Sequence, residues 1–311
     1  MKIGVQTGGV TDVIGIEKGY AAIAAAGFTA IDWNIDHALF GHVLQEMART
    51  GEFTGKCIFE RPLEEVIAHY AGELAQIRKN GLSIAQAHAP FPAYFPGHPE
   101  TLEYMIGIYC RAIELCDYAG CPNLVIHGIS LENSDRFNTP ADIERLNWHL
   151  YESLIPTLLK CKVTVCLENL FTWDTQAVEG VCSDIHEAIA FVDGLNEKAG
   201  REVFGFCLDT GHLHLLHKSF RTFIPALGTR LKVLHIHDND GSGDQHMAPF
   251  TGTVPWATFC DSLKEAGYEG DLGFETYNQV SKAQAFDKEL LMPWLQVICR
   301  TGESFRRRIQ G

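Results

Sequence analysis

The amino-acid sequence predicts an α/β fold, a single (β/α)8 TIM barrel, on three observations. Strand-like and helix-like segments alternate through all 311 residues in eight units. No linker or shift of composition divides them, and the residues that bind metals and move protons collect where strand-like runs end. A chain of this length is large for one domain, yet single barrels routinely reach it. The expected organisation is one barrel over residues 1–311 with a helical insertion around 36–62.

In order, the run 2–7 precedes the Ala-rich stretch 15–26, and 30–35 precedes two helical patterns, 37–50 and 62–80, the second closed by Gly81. The run 83–89 leads to a helix over 99–119. Pro99 stands at its start, where no N–H is needed, and Gly120 just past its end, where a left-handed cap costs Gly little. The run 123–127 leads to 139–161, which opens with Thr139 as cap and Pro140 in the first turn. The pairs 163–169 with 183–199, 204–210 with 213–227, and 231–238 with 254–266 follow. The run 270–277 and a last helix over 287–308 complete the set. Arg306, Arg307 and Arg308 close that helix, where cations favour its dipole.

Composition excludes several classes. A formal charge of −14 disfavours nucleic acid as a partner, because phosphate backbones are held by Lys and Arg. No apolar stretch approaches the roughly 20 residues that span a bilayer, and Met1-Lys2 leads straight into a strand-like run too short for a secretory h-region. The ten cysteines are scattered without a Cys-x-x-Cys pair, and Cys166 and Cys207 sit inside apolar runs. Reduced, buried thiols in the cytoplasm are the expectation.

The strand-end residues carry the chemistry. They are His88-Ala89-Pro90 after the third run, His127-Gly128 after the fourth and Glu168-Asn169 after the fifth. Asp209-Thr210-Gly211-His212 follows the sixth, His235-Ile236-His237-Asp238 the seventh and Glu275-Thr276 the eighth. Side chains alternate along a strand, so Glu168 shares a face with Cys166 and Thr164, Asp209 with Cys207, and Glu275 with Gly273. Small residues beneath the acids suit a crowded interior.

Singly, each acid could be a helix cap or a solvated rim charge. Several carboxylates buried together would cost several kcal/mol apiece unless a cation neutralises them, so a bound divalent metal is expected. The best four ligands are Glu168, Asp209, His235 and Glu275, with His237, two residues on and on the same face, as the rival to His235. Mixed carboxylate and imidazole ligands suit Mn²⁺, Co²⁺, Zn²⁺ or Fe²⁺. One ion is expected, and the ligand set has room for more. His88 and His127 read either as contacts to substrate or metal or as hydrogen-bonded core histidines. Asp244 and His246 could belong to the site or close a Gly-rich loop. Trp33 and Trp256 suit sugar stacking or rim packing.

The motifs Leu167-Glu168-Asn169, Leu208-Asp209-Thr210-Gly211-His212, His235-Ile236-His237-Asp238-Asn239-Asp240-Gly241, Asp244-Gln245-His246 and Phe274-Glu275-Thr276 carry a family resemblance. The sequence resembles the xylose-isomerase-like barrel superfamily over its whole length, in particular the sugar isomerase/epimerase branch. The resemblance implies one divalent ion held by Glu168, Asp209, His235 and Glu275, with the ligand His three residues before an acid, which favours His235 over His237. It also implies that Glu168 and Glu275 move protons and that His212 touches the substrate. His88, His127, Trp33, His237 and His246 are the remaining substrate-binding candidates. The implied activity is metal-dependent isomerisation or epimerisation of a small carbohydrate or sugar phosphate through an enediolate, with a homo-oligomer open as the assembly.

The same superfamily contains apurinic/apyrimidinic endonucleases with three zinc ions. Their ligand set resembles His88, His127, Glu168, Asp209, His212, His235, Asp244, His246 and Glu275. Against a nucleic-acid partner stand the negative charge and the apolar, aromatic loop 89–96, which fits a lid over a small molecule. A third alternative, a catalytically silent sugar-binding barrel, has no need of carboxylates on both sides of a metal.

Overall fold

A computed structural model describes residues 1–132 and 135–311. Its strands are β1 (Ile3–Gln6), β2 (Ala30–Asn34), β3 (Ser83–His88), β4 (Asn123–Val125), β5 (Thr164–Glu168), β6 (Phe171–Trp173), β7 (Ala177–Glu179), β8 (Phe204–Asp209), β9 (Leu231–His235) and β10 (Leu272–Phe274). Eight of them form one sheet in the order β10-β1-β2-β3-β4-β5-β8-β9. Just past β9, Ile236 bridges in parallel to Phe274; its N–H donates to Gly273 O at 2.8 Å and its carbonyl accepts from Glu275 N at 3.0 Å. The two ends of the strand order therefore meet, and the fold is the expected (β/α)8 barrel.

Several boundaries differ from the expectation for identifiable reasons. The helical pattern 139–161 is two helices, Pro140–Glu152 and Ile155–Leu158. Pro156 has no N–H to give the carbonyl of Glu152, so the first helix stops there. The pattern 213–227 also divides, into Thr210–Leu215 and Phe220–Leu227, with His217 between them at φ 53. Absent from the expectation are the antiparallel hairpin of β6 and β7 and the helix Tyr277–Phe286. Three-residue strands are too short for alternation to show, and the helix begins within the run assigned to the last strand. All ten cysteines are free thiols; eight are buried as expected, and Cys57 and Cys110 are half-buried.

The chain divides into two compact units. The first comprises Met1–Trp33, Gly72–Gln86 and Cys207–Gly311. Here β1 pairs with β10 (Ile3↔Leu272, Gly4↔Gly273, Val5↔Phe274) and with β2 (Gly4↔Ala30, Gln6↔Asp32). One face of these strands packs on the helix Leu291–Gln310. A Cβ on Gly302 would lie 2.6 Å from Ile3 Cγ2 and 2.8 Å from Phe274 Cε2, so only glycine lets the helix come this close. Phe305 on that helix stacks on Trp256 at 5.3 Å and meets Phe274 at 6.2 Å. Burying one such ring contributes on the order of 2–3 kcal/mol. Gly273 faces the other way: a Cβ there would lie 2.7 Å from Leu234 O and 3.1 Å from Gln86 Oε1. The expected small residue beneath Glu275 thus makes room for the side chain of Gln86.

The second unit comprises Asn34–Ala71 and Ala87–Phe206. Within it, β3 pairs with β4 (His88↔Val125) and β4 with β5 (Val125↔Cys166). The stretch after β2 holds the helix Gly41–Thr50 between single turns at Asp36–Ala38 and Ile58–Glu60. The helix Pro99–Ala119 has the expected bounds, with Gly120 at φ 75 as its left-handed cap. Its Tyr109 hydroxyl donates to Pro90 O at 3.0 Å and ties down the loop after β3. Asn147 clamps the chain after β4, accepting from Ile129 N and donating to Ile129 O, both at 2.8 Å.

Candidate functional site

In the first unit, Asp209 ends β8, His235 ends β9 and Glu275 follows β10. Their ligand atoms lie within 4.8 Å of one another, and all three side chains are buried. The bridge from Ile236 to β10 sets the register that brings His235 Nδ1 to 3.6 Å from Glu275 Oε2. Gln6 Nε2 donates to Glu275 Oε1 at 2.8 Å, which fixes the carboxylate and leaves Oε2 toward His235. Asp209 is also a helix cap: Oδ1 accepts from His212 N at 2.7 Å at the start of Thr210–Leu215. Its Oδ2 accepts from His237 Nε2 at 2.9 Å. Asp209 thus caps the helix through one oxygen and receives His237 through the other.

His212, His237, Asp244 and His246 form a second group within 4.8 Å. Asp244 Oδ2 lies 2.8 Å from His246 Nε2 and 3.6 Å from His212 Nε2, and the His246 ring stacks on His237 at 4.1 Å. Burial works against the charge on Asp244, but His212 and His246 outweigh it and hold the carboxyl well below its usual range. Burial likewise opposes a charged His246, yet Glu275, Asp244 and Asp209 raise its pKa to about 9.

The loop that carries Asp244 is organised by Asp238. That buried carboxylate accepts from Phe250 N at 2.8 Å, Val254 N at 3.1 Å and Trp256 Nε1 at 3.0 Å. Trp256 is thus a buried anchor for this loop. His237 needs the absence of a side chain at Gly211, where a methyl would run into the ring at Cε1. The ring is tethered to Asp209 and stacked on His246, so it has little freedom to give way. Gly211→Ala is expected to destabilise the protein by at least the ~1–3 kcal/mol of an overpacked core. A melting curve matching wild type would show that His237 is not held as described.

In the second unit, His88 ends β3, His127 lies two residues past β4 and Glu168 ends β5, again with ligand atoms within 4.8 Å. His88 Nε2 lies 3.0 Å from His127 Nε2, which lies 3.2 Å from Glu168 Oε2. Phe91 covers the pair with its ring 5.4 Å from His88 and 4.8 Å from His127, and remains 43% exposed. The loop aromatic expected to act as a lid therefore touches two of the residues expected to bind substrate. Trp33, another of those candidates, is fully buried in β2.

The donor chemistry fits a divalent ion. Asp209, His235 and Glu275 present oxygen and nitrogen atoms at ligand spacing, and two buried carboxylates this close are costly without a cation. Three residues that hold this group in place were not singled out from sequence: Gln6, Asp32 and Gln86. The available signal was a polar residue inside a buried strand, on the face of the strand-end ligands, as with Gln86 two residues before His88.

A (β/α)8 barrel whose strand ends carry buried carboxylate and imidazole groups belongs to the class of barrels that can hold a divalent ion at the mouth. The chain belongs to the xylose isomerase-like TIM barrel family, whose model matches residues 20–296. It is 25% identical over 273 residues to the uncharacterized protein y4fM of Sinorhizobium fredii, covering 84% of this chain and 81% of that one. Among solved structures it resembles a D-tagatose 3-epimerase-like protein with TM-score 0.68 and 19% identity, over 97% of this chain and 99% of the other. It also resembles a D-allulose 3-epimerase from Methylomonas sp. with TM-score 0.69 and 16% identity, over 99% and 98%. At these identities the two likenesses establish the fold. Among the described residues, no helix is long and apolar enough to cross a membrane.

Proposed function

We propose that the protein is a divalent-metal-dependent isomerase or epimerase of a small carbohydrate or sugar phosphate, working by proton transfer. The observation that carries this reading is the buried group of Asp209, His235 and Glu275 in a chain of this family. These three are the proposed ligands, and the family resemblance assigns Glu168 as the fourth. The ion would be Mn²⁺, Co²⁺, Zn²⁺ or Fe²⁺. When bound, it supplies Lewis-acid stabilisation of the charge that develops when a proton leaves the carbon beside a carbonyl.

The chain's own residues do the rest. Glu275, steadied through Oε1 by Gln6, and Glu168, 3.2 Å from His127, are the proposed pair that takes and returns the proton. Return on the opposite face epimerises the carbon; return to the neighbouring carbon isomerises the sugar. His212, whose N–H is held by Asp209 and whose Nε2 faces Asp244 at 3.6 Å, is proposed to donate to a substrate oxygen. His88, His127, His237 and His246 complete the proposed substrate contacts; Trp33, fully buried next to Asp32 on β2, points to the opposite face and is not among them. The partner is a small sugar, with neither nucleic acid nor membrane, in the cytoplasm of the cell.

The test is a panel of free and phosphorylated ketoses offered to the metal-loaded protein in D₂O. Deuterium should appear at the reacting carbon, and turnover should stop with EDTA. Turnover without any solvent deuterium would replace proton transfer by a hydride shift. Sugar binding without turnover, unaffected by EDTA, would leave a binding protein.

A second reading, a metal-dependent phosphodiester hydrolase, is favoured by the two further ligand groups, which offer more donors than one ion requires. Incision of an abasic duplex at moderate salt, lost in Glu275→Gln, would put this reading first.

A further inference from the structure

We propose that Asp32 is a positioning residue that selects the ring nitrogen with which His235 binds the metal; this rests on the reading of Asp209, His235 and Glu275 as ligands. Asp32 lies on β2 and is 1% exposed. Its Oδ2 lies 3.2 Å from His235 Nε2 and accepts from Gln86 Nε2 at 2.9 Å. The same Gln86 nitrogen also reaches Leu234 O at 3.2 Å, the residue before His235, so the amide braces both the carboxylate and the strand. Across the ring, His235 Nδ1 faces Glu275 Oε2 at 3.6 Å.

A neutral imidazole carries one N–H and one lone pair, and an ionised carboxylate can only accept. Asp32 therefore places the N–H at Nε2 and turns the Nδ1 lone pair toward Glu275, where the ligand atoms converge. The cost of burying Asp32 supports the same assignment. One neutral amide is little compensation for a carboxylate this deep, and His235 Nε2, 3.2 Å from Oδ2, is placed to supply a second donor when it carries the proton. The missing side chain at Gly273, which leaves room for Gln86, and the pairing of Gln6 with Asp32 across β1 and β2 hold the set in register.

The test titrates metal-free wild type, Asp32→Asn and Asp32→Ala with Co²⁺ alone, in competition with a chelator, following visible absorption. Asp32→Ala should weaken Co²⁺ binding by roughly 10- to 100-fold and alter the cobalt spectrum. Asp32→Asn should do the same more mildly, since its amide oxygen can still accept from Nε2–H while the charge is gone. As a readout without mutation, wild type labelled with ¹⁵N-histidine and loaded with Zn²⁺ should show His235 protonated at Nε2. Wild-type affinity with an unchanged spectrum in both variants, or a proton on Nδ1, would overturn the role of Asp32 alone. If wild type binds no Co²⁺, the ligand reading falls first and this inference with it. Should Asp32→Ala not fold, Asp32→Asn and the nitrogen spectra decide.

Discussion

Asp209→Ala is expected to abolish tight metal binding and turnover together. Asp209 is a proposed ligand, the cap of the helix that begins at Thr210 and the acceptor for His237. Losing the cap costs about 1 kcal/mol, and leaving buried His237 without its acceptor costs ~1–3 kcal/mol. A fold stable by ~5–15 kcal/mol survives that sum, so lost metal is not explained by unfolding. Asp209→Asn sharpens the test, because an amide oxygen can still cap the helix while the charge is gone. Metal per chain after dialysis, measured beside the circular dichroism of each variant, checks the prediction. Stoichiometric metal retained by folded Asp209→Ala would remove the ion from this position.

The second large effect falls on the glutamates. Glu168→Gln and Glu275→Gln should each slow turnover by several orders of magnitude, more than the ~10²–10⁴ of a lost general base, because the proposed metal shell is disturbed as well. Glutamine preserves volume, and in Glu275→Gln its carbonyl can still accept from Gln6 Nε2, so packing is nearly unchanged. The measurement is kcat at saturating metal, with exchange of the substrate proton for solvent deuterium followed separately. A variant within tenfold of wild type would lose its role as a proton carrier. Exchange that persists while net conversion stops would instead mark that residue as the one returning the proton on the far side.

Much of this arrangement was legible in sequence because barrel geometry is written at strand ends. An apolar run that stops at Asp209 or Glu275 signals both a buried strand and the polar mouth above it, and Gly273 signals the crowding beneath. The supporting residues were less legible. Gln6, Asp32 and Gln86 are single polar residues in otherwise apolar strands, and nothing in their local sequence names their partners, which come from distant strands. Asp238 is similar: its spacing to His235 was visible, but its bonds to Phe250, Val254 and Trp256 depend on how the following loop returns.

What the sequence by itself determined is the barrel, the residues at its strand ends and the family, since period-two burial, caps and short motifs are local and additive along the chain. Which oxygen of Asp209 caps a helix and which receives His237, why residue 211 has no side chain, and which nitrogen of His235 faces Glu275 were decided only by tertiary structure. Each depends on the register between strands that are far apart in the chain. A shift of one residue in that register would turn each of these side chains to the opposite face.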